Sequence, residues 1–128
     1  MLAGPYSSGV AAGSAGSATN NTDTPTRLIG EVIGIYVKYQ DSPPSSTDVV
    51  ISTKGTAPAA PSTTLLTLTN KNTDGWFYPR VIPTDTSGVA LAALTVAEPQ
   101  VIDDIVNISI AGANAADSVD VWLMLDDD

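Results

Sequence analysis

The side chains that most enzymes use for chemistry are scarce in this sequence. Its 128 residues include no Cys and no His, which excludes thiol nucleophiles, thiolate zinc sites and Ser-His-Asp catalysis. The adjacent internal carboxylates are Asp103 and Asp104, and neighbours on a strand point to opposite faces. We therefore expect both carboxylates to be solvated at a strand end. For the protein as a whole, we expect no catalytic residues and no cofactor. A carboxylate-only hydrolase is the enzymatic alternative, and it needs two acids that converge in one pocket.

One segment, residues 70–75 (NKNTDG), has the oxygen-bearing side chains and the sixth-position glycine of a calcium-binding loop. Such a loop needs a bidentate Glu at its twelfth position, where this sequence has Val81. Its first position is Asn70 rather than Asp, so only one formal charge remains. The segment therefore predicts a hairpin turn, with Asp74-Gly75 as the turn signal, and no metal site.

Aromatic residues are few, and three of the seven fall in Trp76-Phe77-Tyr78-Pro79-Arg80. Alternation along a strand places Trp76 and Tyr78 on one face and Phe77 on the other. Trp, Tyr and Arg are the residues enriched at interface hot spots. We therefore take Trp76, Tyr78 and Arg80 as candidate interface residues, with Trp122 on the last predicted strand nearby. A corner of the core and a sugar-stacking platform are the alternatives.

The charge balance restricts the possible partners. Five Lys and Arg against fourteen Asp and Glu give a net charge of −9, which disfavours nucleic acids and anionic membranes. No window approaches the ~20 apolar residues of a membrane-spanning helix. We expect a partner protein, with no nucleic acid and no membrane.

From Arg27 onward, the sequence has the short alternating segments of β-strands. Residues 27–40 place Ile29, Ile33, Ile35 and Val37 on one parity, and Gly and β-branched residues make a helix unfavourable there. Similar segments occupy residues 48–53, 63–69, 76–82, 89–97, 100–110 and 117–125. Six or more strands separated by turns predict an all-β protein, an antiparallel β-sandwich or jelly-roll-like fold.

Residues 1–26 differ from the rest of the chain in composition. They are mostly Gly, Ala, Ser, Thr and Asn, and they carry too little apolar surface to offset the entropy of ordering the backbone. We therefore predict a flexible N-terminal arm over residues 1–26. The β-sandwich domain would then occupy residues 27–128 and end in a short acidic tail, Asp126-Asp127-Asp128.

Two segments carry a family resemblance. TLTNKNTDGWFYPR (residues 67–80) and DDIVNISIAGANAADSVDVWLMLD (residues 103–126) resemble small virion structural proteins of tailed bacteriophages. These are similar to head decoration, or cement, proteins. The resemblance implies a homotrimer that binds the major capsid protein on the outer surface of the virion and stabilises the capsid there. A carbohydrate- or receptor-binding head fibre or tail module is the alternative.

Overall fold

The computed structural model of the chain describes residues 1–56, 61–92 and 97–126. Parts of the predicted segment 89–97 and of the acidic tail lie outside these residues. Within the described ranges the regular elements are nine strands and no helix, so no described helix is of a length and hydropathy to cross a membrane. The strands are β1 Leu2–Ser7, β2 Ala18–Asp23, β3 Leu28–Gln40, β4 Asp48–Thr53, β5 Thr64–Leu68, β6 Gly75–Phe77, β7 Gln100–Asp104, β8 Val106–Ala113 and β9 Ser118–Asp126.

The strands form two antiparallel sheets that pack face to face. One sheet has five strands: β1 pairs with β9, β9 pairs with β3, and the other edge of β3 is shared by β6 and β7. The second sheet has four strands in the order β2-β8-β4-β5. The predicted all-β antiparallel sandwich is confirmed.

Alternation builds the core between the sheets. In β8, Val106, Ile108 and Ile110 are fully buried, and in β9 the residues that include Val121 and Leu123 are equally buried. Burying one such side chain contributes roughly 1.5–3 kcal/mol. The residues between them point outward, so the sequence assigns one side of each strand to the interior and the other to a surface.

A β-bulge interrupts the alternation of β3. The register with β9 shifts between Val32 and Gly34, so Val32 and Ile35 are both buried although their parity differs. The sequence predicted one parity for the whole strand, which is wrong before the bulge: Ile29 is 58% exposed. An extra residue in one strand exchanges its two faces, and no local sequence pattern announces it.

The N-terminal segment differs from the predicted flexible arm. Residues 2–7 form the edge strand β1 against β9, and residues 18–23 form the edge strand β2 against β8. Backbone N–H and C=O groups pair whatever the side chains are, so a Gly- and Ala-rich segment can complete a sheet. Its small residues Ala3, Ala11 and Ala18 are buried.

The connection between β1 and β2 is fastened to both sheets. Ser8 is fully buried, its N–H donates to the Val119 carbonyl at 3.0 Å, and its Oγ accepts from the Val119 N–H at 3.1 Å. On the other side, Thr22 Oγ1 donates to the Ser8 carbonyl at 3.0 Å, and Asn20 Nδ2 donates to the Val10 carbonyl at 2.8 Å. The first 26 residues therefore belong to the sandwich.

Candidate interface on the five-stranded sheet

Three aromatic rings form a row across the outer face of the five-stranded sheet. Tyr36 of β3 lies opposite Trp122 of β9 and opposite Trp76 of β6 in the strand registers. Because the neighbours of Tyr36, Ile35 and Val37, are fully buried, the tyrosine points outward. Its ring centroid is 5.4 Å from that of Trp76 and 5.7 Å from that of Trp122, at interplanar angles of 55° and 60°. These tilted contacts are the favoured geometry for aromatic pairs.

A fourth ring extends the row along the strands. Tyr78 lies parallel to Trp76, with centroids 6.2 Å apart and an interplanar angle of 13°. A side chain at Gly34 would place its Cβ 3.0 Å from the ring of Tyr78. The glycine that follows the bulge therefore leaves the space in which the Tyr78 ring lies against β3.

These four rings, Tyr36, Trp76, Tyr78 and Trp122, are called the aromatic cluster. Trp76 and Tyr78 are 42% and 61% exposed, and the other two are partly buried. Leu2 of the edge strand β1 is exposed and shares a shallow depression with three of the rings. The cluster thus presents apolar surface to solvent instead of to the core.

Arg80 is exposed and lies beside the aromatic cluster. Its Nη1 donates to the carbonyls of Ile33 at 3.0 Å and Pro79 at 2.9 Å. Arg80 therefore fastens the segment after β6 to the bulge of β3, beside the aromatic cluster. Of the four predicted interface residues, Trp76, Tyr78 and Trp122 come together and Arg80 anchors their surroundings.

Tyr36 was missing from the predicted set. The signal was present, since Tyr36 stands between two inward-facing residues of β3 and alternation points it outward. Its partners could not be predicted, because they come from β6 and β9, far away in sequence. Beyond the cluster, Lys38 lies opposite Asp120, and Gln40 Nε2 donates to Asp120 Oδ2 at 3.1 Å. A polar rim therefore borders the rings at this end of β3.

The two adjacent acids have opposite environments. Asp103 is exposed and forms an ion pair of 3.1 Å with Arg27. Asp104 is buried, which corrects the expectation that both acids are solvated. It accepts from Thr56 Oγ1 at 2.6 Å and from the N–H groups of Gly55 and Ile105, both at 2.7 Å. The Thr56 hydroxyl, helped by these N–H groups and opposed by desolvation, holds the pKa of Asp104 below its ordinary value.

The calcium-like segment serves to connect the sheets. It joins β5 of one sheet to β6 of the other, so the predicted hairpin turn is wrong. Its side chains bond outward: Asp74 Oδ1 accepts from the Tyr39 N–H at 2.8 Å, and Asn72 Nδ2 donates to the Pro43 carbonyl at 2.9 Å. No three metal-binding side chains come together among residues 1–56, 61–92 and 97–126.

The chain matches no protein family, no curated protein and no solved structure. The aromatic cluster and the surfaces around it are therefore the features of the molecule that bear on its function.

Proposed function

We propose that this protein is a non-enzymatic virion structural protein that decorates and stabilises the outside of a bacteriophage capsid. The observation that carries the proposal is the aromatic cluster: four of the seven aromatic residues meet on one outer sheet face. Exposed apolar surface of this kind marks interaction sites, and aromatic residues dominate interface energies. The family resemblance of residues 67–80 and 103–126 supplies the biological setting.

In this proposal the aromatic cluster joins copies of the chain in a homotrimer, and the trimer binds the major capsid protein. The rings are held by their neighbours before any partner arrives, since Tyr36 contacts both tryptophans. Preorganised rings lose little side-chain entropy on association. The net charge of −9 suits the outer surface of the shell, away from packaged DNA.

The N-terminal segment has a revised role in this proposal. Because β1 is an edge strand of the five-stranded sheet, Leu2 extends the aromatic surface by one strand. The segment therefore adds contact area to the proposed interface and is not an arm that reaches for a distant subunit.

Size-exclusion chromatography with light scattering tests the trimer. We expect three times the chain mass of 13.1 kDa for the wild type and a shift to monomer in Trp76→Ser/Tyr78→Ser. Thr67→Ala, on an exposed position of the four-stranded sheet, is the matched control and should keep the trimer. A wild-type monomer at micromolar concentration would refute the trimer, and a density map of intact particles without this chain would refute the virion location.

Glycan or receptor binding, as in a head fibre or tail module, is the second candidate. The parallel rings of Trp76 and Tyr78 favour it, since sugars stack on exposed ring faces. The tilt of Tyr36 against both tryptophans counts against a flat platform. A glycan array probed with the wild type and with Trp76→Ala distinguishes the two candidate functions. Loss of glycan binding in Trp76→Ala, with the oligomer unchanged, would support the glycan function.

A further inference from the structure

A second exposed apolar patch lies on the outer face of the five-stranded sheet, beyond the bulge from the aromatic cluster. It consists of Ile29 of β3 and Val101 of β7, which are 58% and 65% exposed. The register places Ile29 opposite Asp103, and Val101 opposite Glu31, so the two apolar side chains are diagonal neighbours. Both line one depression of the surface.

Carboxylates surround this apolar pair. Glu31 lies between Val101 on one side and Asp126 of β9 on the other, directly opposite in both registers. Asp103 lines the same depression, and its charge is offset by Arg27 at 3.1 Å. The depression is therefore lined by two exposed apolar side chains and by an acidic rim, which consists of Glu31, Asp103 and Asp126.

We propose that this acidic depression docks a segment of a partner protein in which Lys or Arg side chains flank an aliphatic one. The aliphatic side chain would cover Ile29 and Val101, and the cations would meet Glu31 and Asp126. This inference does not depend on the aromatic cluster being an interface, because the two surfaces lie on opposite sides of the β3 bulge.

Charge complementarity selects this occupant over a second copy of the chain. The sequence has five cationic side chains in 128 residues, and Arg27 and Lys54 already form ion pairs with Asp103 and Asp23. A second copy would therefore bring mostly further negative charge against the rim. A basic partner would instead bring opposite charge to the three carboxylates that line the depression.

Titration of the ¹⁵N-labelled full chain with the peptide Lys-Lys-Ile-Val-Lys-Lys tests the proposal. We expect saturable amide shifts at Ile29, Glu31 and Val101, and none with Glu-Glu-Ile-Val-Glu-Glu. Glu31→Gln/Asp126→Asn should weaken the peptide about tenfold, in the range expected for two rim charges. Asp120→Asn, on the same face beside the aromatic cluster, is the matched control and should bind like the wild type.

The apolar contribution is tested by Val101→Thr, which replaces one methyl group of an exposed side chain by a hydroxyl of similar size. It should weaken the peptide without changing the spectrum elsewhere, and it replaces the charge variant if that variant fails to fold. Three results would overturn the proposal: no saturable shifts, shifts centred on the Trp122 indole, or concentration-dependent shifts at Val101 without peptide, which would indicate self-association.

Discussion

The outer faces of the two sheets are made of different residues although their inner faces are alike. Inward, both sheets present fully buried Val, Ile and Leu, such as Leu123 of the five-stranded sheet and Ile108 of the four-stranded sheet. Outward, the five-stranded sheet presents the aromatic cluster, whereas the four-stranded sheet presents mainly polar side chains such as Asn107, Ser109 and Thr67. Alternate residues of a strand point to opposite sides. The inward residues can therefore stabilise the fold, while the outward residues differ between the two sheets.

On the outer face of the four-stranded sheet, polar side chains from β2 and β8 bond to one another. Asn107 Nδ2 donates to Asn21 Oδ1 at 3.0 Å and to Asp23 Oδ1 at 2.8 Å. The Asn107 amide, with Lys54, holds the pKa of Asp23 below its ordinary value against desolvation. On this face polar side chains bond to one another, whereas the aromatic face leaves the apolar surface of Trp76 and Tyr78 exposed. The proposed interface uses the face on which this apolar area is exposed.

The largest expected effect tests whether buried residues of the two sheets contribute equally to stability. Leu123→Ala and Ile108→Ala should each lower the free energy of unfolding by about 3 kcal/mol, since each removes a fully buried aliphatic side chain. Urea denaturation measures both. A loss below about 1 kcal/mol for one of them would show that the two inner faces are not equivalent.

The next effect concerns Tyr39, an aromatic residue of β3 that faces inward. Its buried hydroxyl has no hydrogen-bond partner among the described residues. Burial, reinforced by Asp74 and Asp48, raises the pKa of Tyr39 to about 12 from 10.0. The folded state therefore keeps the phenol proton while the unfolded chain loses it, so stability is fully present below pH 10 and decreases toward pH 12.

The expected alkaline decrease is about 2–3 kcal/mol in the free energy of unfolding. Tyr39→Phe should abolish it and should be about 1 kcal/mol more stable at pH 7, because an unpaired buried hydroxyl is removed. Urea denaturation between pH 9 and pH 12 measures both effects. Equal pH slopes in the variant and the wild type would contradict the burial of an unpartnered phenol.

A smaller effect tests a connection between the sheets. Asp104 ends β7 and binds the segment after β4, at Gly55 and Thr56. Its lowered pKa means that its stabilising contribution is present above the unfolded value of about 3.9 and is lost as pH falls through the folded value. Asp104→Asn should therefore be less stable at pH 7 and lose less stability between pH 5 and pH 2.

The matched control for this carboxylate is its neighbour, Asp103→Asn. It makes the same chemical change on an exposed side chain with one exposed ion pair, so thermal unfolding at pH 7 should barely change. If both variants had the same melting temperature and the same pH profile, Asp104 would not be a connection between the sheets.

The smallest expected effect on stability comes from a substitution that moves a ring of the aromatic cluster and leaves the fold intact. Gly34→Ala should displace the Tyr78 ring, since its Cβ would lie 3.0 Å from that ring, and change the near-ultraviolet circular dichroism. Stability should change by less than about 1 kcal/mol, because Tyr78 is exposed and can move. Gly75→Ala, whose Cβ would meet nothing closer than 3.8 Å, should leave the spectrum unchanged. A Gly34→Ala spectrum identical to the wild type would contradict this ring placement.

Local alternation predicted the fold class and most of the outward aromatic residues, because side-chain direction depends on neighbours in sequence. Trp76, Tyr78 and Trp122 were found in this way. Two features were not predicted from the sequence: the bulge before Gly34 and the strands formed by the first 26 residues. Both depend on backbone pairing with distant segments, which composition does not encode.

The first strand of the chain pairs with the last one: β1 lies on β9, and the Leu125 N–H donates to the Met1 carbonyl at 2.7 Å. β3 likewise needs β9 as its neighbour. During synthesis, the N-terminal segment therefore leaves the ribosome long before the strand that completes it exists. The five-stranded sheet closes only through contacts between segments that are far apart in sequence, so this domain should fold slowly for its size.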